Sequence, residues 1–351
     1  MIREEHGNLL RDNADALVNT VNTVGVMGKG IALQFKRAYP EMYKAYSAAA
    51  KAGELQIGAM HVWETGALAG PRVIINFPTK RHWRSPSTLD DVAAGLPALV
   101  EALHKYSITS VAIPPLGCGN GGLDWRDVAP LMWQALSPLA DTIDIRIYPP
   151  EGAPAASEMT DRTNVPKMTA ARAAVIRLLQ VYEEYSFHPP SLIEVQKLAY
   201  FLQGAGQNLR LDFSKGTYGP YADALRKSLR NMEGHYIEGF GDGSAKVPEA
   251  EPISVKNSAE LQAAHVLDDA PETAARVGRV IELADGFTSM YGLELLATVH
   301  WTVTREHATT SDEVFNKIQS WTPRKAALFT RQHVDTALTH LTALEWLPVS
   351  A

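Results

Sequence analysis

Short apolar segments alternate with amphipathic ones through the first 150 residues of the chain. Runs of apolar, partly β-branched residues predict strands at 15–18, 59–63, 73–77, 110–114 and 144–148. Apolar residues spaced three or four positions apart predict helices at 31–38, 41–52, 89–105 and 125–139. Strands that alternate with helices indicate an α/β fold in which a mostly parallel sheet lies between helices.

The pattern changes after residue 150. A stretch rich in proline and alanine, 149–157, is typical of a linker. Helical spacing then dominates and predicts helices at 167–185, 192–203, 222–232, 271–291, 293–304, 312–321 and 331–344, with a turn-rich stretch at 213–221. We therefore expect an α/β domain over residues 1–155 and a mainly α-helical second domain over residues 165–351.

Charge divides along the same boundary. Residues 1–150 contain 14 basic and 14 acidic side chains, whereas residues 151–351 contain 19 and 25, so the second half carries the whole net charge of −6. This division suggests different partners for the two halves. The single cysteine, the polar first residues and the lack of an apolar run of about 20 residues predict a cytoplasmic protein that has no contact with a membrane.

Two glycine-rich loops follow predicted strands, and ligands of such sheets bind at the carboxyl ends of the strands. The first glycine loop, residues 19–30, has three glycines and two asparagines, Asn19 and Asn22. Its main-chain N–H groups suit an anion, and its amides suit sugar hydroxyls. The second glycine loop, residues 114–125, has four glycines that can form a nest for a diphosphate. Together the loops could clamp a sugar–diphosphate–sugar ligand.

Several motifs in the same order resemble the macrodomain family, at residues 7–10, 15–22, 28–30 and 117–122. That family binds ADP-ribose, and many members hydrolyse it from a modified target. Residues 76–84 and 114–125 resemble more closely the DarG antitoxins of DarTG systems. The macrodomain of these antitoxins removes ADP-ribose that the DarT toxin places on thymidine in single-stranded DNA. The fold class that the resemblance implies is a macrodomain followed by the helical domain.

The resemblance also implies roles for individual residues. Asn8 and Leu9 match positions that hold adenine. Residues that match the distal-ribose site are Asn22, Val26, Met27, Gly28, Lys29 and Gly30. Residues that match the loop around the diphosphate are Gly117, Cys118, Gly119, Asn120, Gly121, Gly122 and Leu123. Thr79 is expected to contact ADP-ribose as well, and Lys80 and Asn22 are expected to be catalytic.

Lys80 matches the essential lysine of DarG-like macrodomains, and its chemistry leaves two possibilities. As an amine it could attack the ribosyl C1″ and form a transient covalent adduct. As an ammonium it could stabilise the leaving thymine or the diphosphate. Apart from the resemblance, a solvated lysine after a strand is the commoner fate of this residue type.

The basic loop, residues 80–84, places cations beside an aromatic ring. Arg81, His82, Trp83 and Arg84 together have the composition of a single-stranded DNA contact, with charges on phosphates and the indole on a base. The alternative is that Trp83 packs into the core. Cys118 has no histidine nearby in sequence, so we expect a small residue between glycines rather than a nucleophile. No cofactor and no metal site are expected.

The second half offers two signs of a protein partner. Residues 197–203 and 218–220 resemble the Panacea-type antitoxin module, which neutralises toxins by binding them. The stretch 233–272 is acidic, and an acidic surface could occupy the basic DNA groove of a toxin. The alternative is that these residues form a solvent-exposed face without a partner. The acidic residues are Glu233, Glu238, Asp242, Glu249, Glu251, Glu260, Asp268, Asp269 and Glu272, against Lys246 and Lys256.

These observations predict a two-domain antitoxin. It would release ADP-ribose from thymidine in single-stranded DNA, and as a monomer it would bind and inhibit one DarT-type toxin. Two alternatives stay open at this stage. The first domain could act on ADP-ribosylated protein, or it could bind ADP-ribose without catalysis.

Overall fold

The computed structural model describes residues 1–67, 70–245 and 250–348, so Lys246 and Glu249 of the acidic stretch lie outside the described residues. The chain forms two compact units. The first comprises Met1–Asn164 together with Gly241–Ala245, and the second comprises Val165–Phe240 and the described residues after 245. The first unit is an α/β structure and the second is mainly helical, which confirms the predicted fold class.

A six-stranded sheet forms the centre of the first unit. Its strands are β1 (Ile2–Glu4), β2 (Ala16–Asn22), β3 (His61–Glu64), β4 (Val73–Lys80), β5 (Ser110–Ile113) and β6 (Asp144–Ile147). They lie in the order β1–β6–β5–β2–β4–β3. All neighbours are parallel except β3, which pairs antiparallel with β4. β1 has three residues, too few for an alternating pattern, and was not predicted.

Helices cover both faces of this sheet. They are α1 (Gly30–Ala38), α2 (Pro40–Lys51), α3 (Leu89–Lys105) and α4 (Trp125–Leu136). Strand β2 shows how the faces divide, because successive side chains point to opposite sides. Ala16 and Val18 pack with α3 and α4, whereas Leu17 and Val21 pack with α1 and α2. With both faces buried, the loops at the strand ends are the part of the sheet open to a ligand.

Gly95 marks the closest approach of α3 to the sheet. A Cβ atom at this position would lie 2.3 Å from Phe77 Cζ. Glycine-to-alanine changes inside helices usually stabilise by about 1 kcal/mol, but here we expect Gly95→Ala to destabilise the first unit by about 1–3 kcal/mol through overpacking. Gly278→Ala is the matched control, since a Cβ there meets nothing within 4 Å. Thermal unfolding of both variants measures the two effects, and a stabilising Gly95→Ala would contradict this packing.

The second unit consists mainly of helices around one hydrophobic core. They are α5 (Ala170–Ser186), α6 (Leu192–Gly204), α7 (Asp223–Met232), α8 (Asn257–Leu267), α9 (Pro271–Ala284), α10 (Met290–Thr304), α11 (Ser311–Gln319), α12 (Pro323–Leu328) and α13 (Arg331–Ala343). Two short antiparallel pairs accompany them, β7 (Ser214–Gly216) with β8 (Gly219–Tyr221) and β9 (Ile237–Glu238) with β10 (Ser254–Val255). None of the described helices is both long and apolar enough to cross a bilayer.

The predicted helix at 271–291 is wrong at its end. Helix α9 stops at Ala284, and Gly286 takes a φ of +74°, a conformation that ends helices. Ser289 then begins α10, because its side chain accepts a hydrogen bond from Gly292 N at 3.0 Å. Apolar spacing continues across this break, so the periodicity alone could not reveal it.

The two segments that resemble the Panacea module meet in the second unit. Lys197 on α6 is buried, and its Nζ donates to the carbonyl oxygen of Pro220 at 2.6 Å. Burial, together with the nearby ammonium of Lys325, lowers the pKa of Lys197 to about 7. Lys325 is itself held by Glu294, with 2.5 Å between Nζ and Oε1. The resemblance therefore falls on residues that fix the helical core.

The acidic stretch does not form one surface. Glu233 is buried, and its Oε2 accepts a hydrogen bond from Phe240 N at 3.0 Å. Asp242 is buried as well and accepts from Gln34 Nε2 at 2.7 Å within the first unit. Asp268, Asp269 and Glu272 are exposed at the junction of α8 and α9. Only part of the predicted acidic surface is thus available to a partner.

Candidate functional site

A bulge at the end of β4 brings the two predicted catalytic residues together. Strands β2 and β4 pair residue by residue up to Val21 and Pro78, and the register then shifts so that Asn22 pairs with Lys80. The extra residue is Thr79, which is buried. Bulges of this kind re-aim side chains at the ends of strands. Thr79 therefore contributes to the site by setting the position of Lys80.

The side-chain amide of Asn22 forms hydrogen bonds within the first glycine loop. Its Oδ1 accepts hydrogen bonds from Val24 N and Val26 N, both at 3.2 Å. Its Nδ2 donates to Val26 O at 2.6 Å. In this arrangement Asn22 shapes the first glycine loop, and its catalytic role stays a prediction.

Lys80 contacts the second glycine loop through its ammonium group. Its Nζ donates to the main-chain oxygen of Asn120 at 2.9 Å. Burial lowers the pKa of Lys80 below its ordinary value, which increases the fraction of neutral amine near pH 7. Because a trans peptide points its C=O and N–H in opposite directions, this contact turns the N–H of Gly121 away from Lys80.

The second glycine loop presents three successive donors. The N–H groups of Gly119, Asn120 and Gly121 have no hydrogen-bond partner among the described residues. Neighbouring donors are used inside the loop, since Gly122 N donates to Gly119 O and Leu123 N to Gly117 O, both at 3.1 Å. Adjacent free N–H groups are the feature of an anion nest. The geometry therefore suits the diphosphate that the resemblance assigns to this loop.

The two glycine loops meet at Gly30 and Asn120. Gly30 has a φ of +61°, and a Cβ there would lie 2.5 Å from Asn120 Nδ2. Gly28 and the exposed Lys29 lead into this contact, and Val26 is exposed beside them. Met27 differs from its loop neighbours, because its side chain is buried in the core beneath the loop.

Cys118 is unsuited to act as a nucleophile. Burial, together with the nearby carboxylate of Asp124, raises the pKa of its thiol to about 11. The thiol is therefore protonated near neutral pH, and the thiolate is the reactive form. This agrees with the prediction of a small residue between two glycines.

The two predicted adenine residues behave differently. Asn8 begins a short 3₁₀ turn, and its Oδ1 accepts from Leu10 N at 3.0 Å while its Nδ2 donates to Glu158 O at 2.9 Å. Leu9 is 4% exposed and packs in the core. Any contact of Leu9 with adenine would therefore involve its main chain rather than its side chain.

The basic loop presents an aromatic side chain to solvent. Trp83 is 45% exposed, so the alternative in which it packs into the core is wrong. The His82 ring stacks on it at 5.4 Å between centroids, and the Arg84 guanidinium lies 4.5 Å from the indole centroid. Arg81 is tied to the buried carboxylate of Asp91 at 3.0 Å. A base that stacks on Trp83 would therefore join an existing stack.

Metal ligands are not grouped in the part of the chain that the structure describes. No cluster of three or more His, Cys, Asp or Glu side chains there could hold a metal ion.

Known proteins match this chain over nearly its whole length. The Macro domain family model matches residues 18–132. A DNA ADP-ribosyl glycohydrolase of Thermus aquaticus is 45% identical over 338 residues, which cover 96% of this chain and 92% of that protein. The chain belongs to the DNA ADP-ribosyl glycohydrolase family. The resemblance to DarG-type macrodomains is thus confirmed.

Two further proteins each match less than half of this chain. The macrodomain of Mycobacterium tuberculosis DarG is 58% identical, covers 43% of this chain and 99% of that domain, and superposes with a TM-score of 0.42. A DNA ADP-ribosyl transferase–DNA ADP-ribosyl glycohydrolase fusion protein of Thermosipho africanus is 36% identical over 159 residues, which are 41% of this chain and 40% of that protein.

Two residues that support this glycohydrolase site were not predicted. Thr23 fastens the first glycine loop to the basic loop, because its N donates to Lys80 O at 3.2 Å and its Oγ1 to Arg81 O at 2.8 Å. The buried hydroxyl of Tyr46 donates to the main-chain oxygen of Asn22. Thr23 could have been predicted, because it lies inside the first glycine loop. Tyr46 could not, because its position on α2 has only the spacing typical of a core residue.

Proposed function

We propose that this chain removes ADP-ribose from thymidine in single-stranded DNA and that it also binds and inhibits a DarT-type toxin. The observation that carries the enzymatic part is the bulge that places Lys80 beside Asn22 with its Nζ on the second glycine loop. The family supports the same chemistry, since the Thermus aquaticus relative is named for it. ADP-ribose is then both the group recognised and the product released.

Lys80 supports either of two routes for breaking the N-glycosidic bond. In the first, the neutral amine attacks C1″, a C–N bond forms, and the bond to the base breaks with its electron pair leaving on the base. Water then hydrolyses the adduct and restores the amine. In the second, the ammonium stabilises the departing base while water attacks. The first route requires a neutral amine, and the lowered pKa of Lys80 acts in that direction because it increases the neutral fraction.

The remaining site residues have binding roles in this proposal. The nest at Gly119–Gly121 holds the diphosphate, the first glycine loop holds the distal ribose, and the turn at Asn8 receives the adenine. The basic loop receives the DNA strand, with a base on the exposed Trp83 and phosphates near Arg84. This loop begins with Lys80 itself, so a strand bound there lies next to the reacting atoms.

Trp83→Ala is expected to weaken the action on modified DNA and to leave the binding of free ADP-ribose unchanged. Stacking of a base on an aromatic ring contributes about 1–3 kcal/mol, so KM for the modified oligonucleotide should rise by roughly 10- to 100-fold. Calorimetry with ADP-ribose and steady-state turnover measure the two properties separately.

Trp83→Phe is the control for this loop, because it keeps a stacking ring, and it should retain most of the activity. Equal losses of ADP-ribose binding and turnover in Trp83→Ala would contradict the DNA-binding role. Better turnover on ADP-ribosylated protein than on DNA would favour the protein-directed alternative.

The toxin-binding role is assigned to the second unit, in a complex of one antitoxin monomer with one toxin in the cytoplasm. The fusion protein of Thermosipho africanus supports the pairing, because its name joins a DNA ADP-ribosyl transferase to a glycohydrolase. The exposed carboxylates at the junction of α8 and α9 suit a basic groove on such a transferase. They are Asp268, Asp269 and Glu272.

Neutralising these three carboxylates to amides should weaken toxin binding by about tenfold or more at low salt, and the loss should shrink as salt screens the charges. The matched control neutralises three exposed acids of the first unit, Glu54, Glu101 and Asp141. Surface plasmon resonance at low and high salt measures both variants. Equal affinity of the two variants for the toxin would contradict this docking surface.

A further inference from the structure

One buried hydroxyl beneath the second glycine loop has no hydrogen-bond partner among the residues that the structure describes. Ser87 lies between the basic loop and α3 and is 5% exposed. Its Oγ is buried without a partner among the described atoms. Because burying an unpaired hydroxyl destabilises a folded chain, such a group calls for an explanation.

The hydroxyl lies directly under the turn formed by Gly117 and Gly121. A Cβ at Gly121 would lie 2.4 Å from Ser87 Oγ and 2.2 Å from Gly117 O. A Cβ at Gly117 would lie 3.4 Å from the same Oγ. Since a serine hydroxyl rotates and can both donate and accept, a small movement of this turn would give it a main-chain partner.

The segment 80–87 already holds this loop at two consecutive carbonyl groups. Lys80 Nζ donates to Asn120 O, and Ser87 N donates to Gly121 O, both at 2.9 Å. The contact at Asn120 O turns the N–H of Gly121 away from this segment, and the N–H groups of Gly119 and Asn120 also have no partner among the described residues. The serine main chain thus has a role in the loop, whereas its side-chain hydroxyl has no partner among the described residues.

We propose that Ser87 is a positioning residue for the second glycine loop. Its hydroxyl becomes hydrogen-bonded to the main chain of the Gly117–Gly121 turn when a diphosphate binds the nest, and it stabilises that bound conformation. The inference rests on the proposed function, because the diphosphate is that of ADP-ribose. The Ser87 hydroxyl then gains a hydrogen-bond partner when the ligand binds, which increases the affinity for the ligand. The same unpaired hydroxyl lowers the stability of the free protein.

Ser87→Ala in the full chain should therefore have opposite effects on the free and bound states. The Kd for ADP-ribose, measured by calorimetry, should rise about tenfold, which equals about 1.4 kcal/mol. The melting temperature without ligand should stay the same or rise, because a buried unpaired group has been removed. Ser87→Cys keeps a weak donor and should bind with intermediate affinity. Ser85→Ala, at an exposed position of the same segment, should change neither property.

Steady-state kinetics on modified DNA add a second readout. KM should rise in Ser87→Ala while kcat stays unchanged, because Lys80 keeps its place. A Kd within twofold of that of the unmutated chain would overturn the inference, and so would a melting temperature that falls together with affinity. If the unmutated chain failed to bind ADP-ribose, the proposed function would be overturned together with the role of Ser87.

Discussion

Replacing Lys80 with alanine is expected to slow the release of ADP-ribose from modified DNA by roughly 10³-fold or more. The substitution removes either the nucleophile or the group that stabilises the leaving base. Single-turnover release from a thymidine-modified oligonucleotide measures the effect. Lys44→Ala is the control, since Lys44 is an exposed lysine of α2 paired with Glu41 at 2.6 Å, and it should act at the full rate. A Lys80→Ala rate above a tenth of normal would contradict the assignment.

Lys80→Arg separates the two possible roles of the lysine. Arginine stays charged at all working pH values and cannot act as an amine, so the nucleophilic route predicts no turnover in this variant. Electrostatic stabilisation predicts a substantial residual rate. In the unmutated chain, the nucleophilic route predicts a rate that rises with pH through the lowered pKa of Lys80. The electrostatic route predicts a rate that falls over the same range.

Gly121→Ala is expected to weaken ADP-ribose binding by about 100-fold and to lower the melting temperature of the first unit. The added Cβ would lie 2.2 Å from Gly117 O, which is main chain and cannot move without displacing the turn. Overpacking of this kind costs about 1–3 kcal/mol. Calorimetry and thermal unfolding of the full chain measure both effects.

Gly119→Ala provides the comparison for Gly121→Ala. Gly119 lies in the same loop, and a Cβ there meets nothing within 4 Å, so the melting temperature should be unchanged. If Gly121→Ala bound ADP-ribose with an affinity within threefold of normal, the packing of the Gly117–Gly121 turn would be contradicted.

The architecture of the first unit follows from local patterns. The apolar run at 73–77 and the spacing at 89–105 are strong signals, and they correspond to β4 and α3. The helix boundaries of the second unit were harder to predict, because apolar spacing continues across the break between α9 and α10. Gly286 ends α9 and Ser289 begins α10. Each boundary depends on a single residue, which a periodic pattern of apolar residues does not reveal.

The site was predictable where its residues form motifs and not where they act through long-range contacts. Both glycine loops and Lys80 stand out in the sequence. The bulge at Thr79 does not, because register depends on how two distant strands pair. The roles of Tyr46 and Ser87 could not be predicted from the sequence either. Each role depends on a contact with main-chain atoms that are distant in the sequence.

The most direct test of the central claim is a time course with the full chain and a thymidine-ADP-ribosylated, single-stranded oligonucleotide on a denaturing gel. We expect the modified band to return to the mobility of the unmodified strand and free ADP-ribose to appear in equal amount. An unchanged band, from a chain that still binds free ADP-ribose, would contradict the claim that this site removes ADP-ribose from DNA.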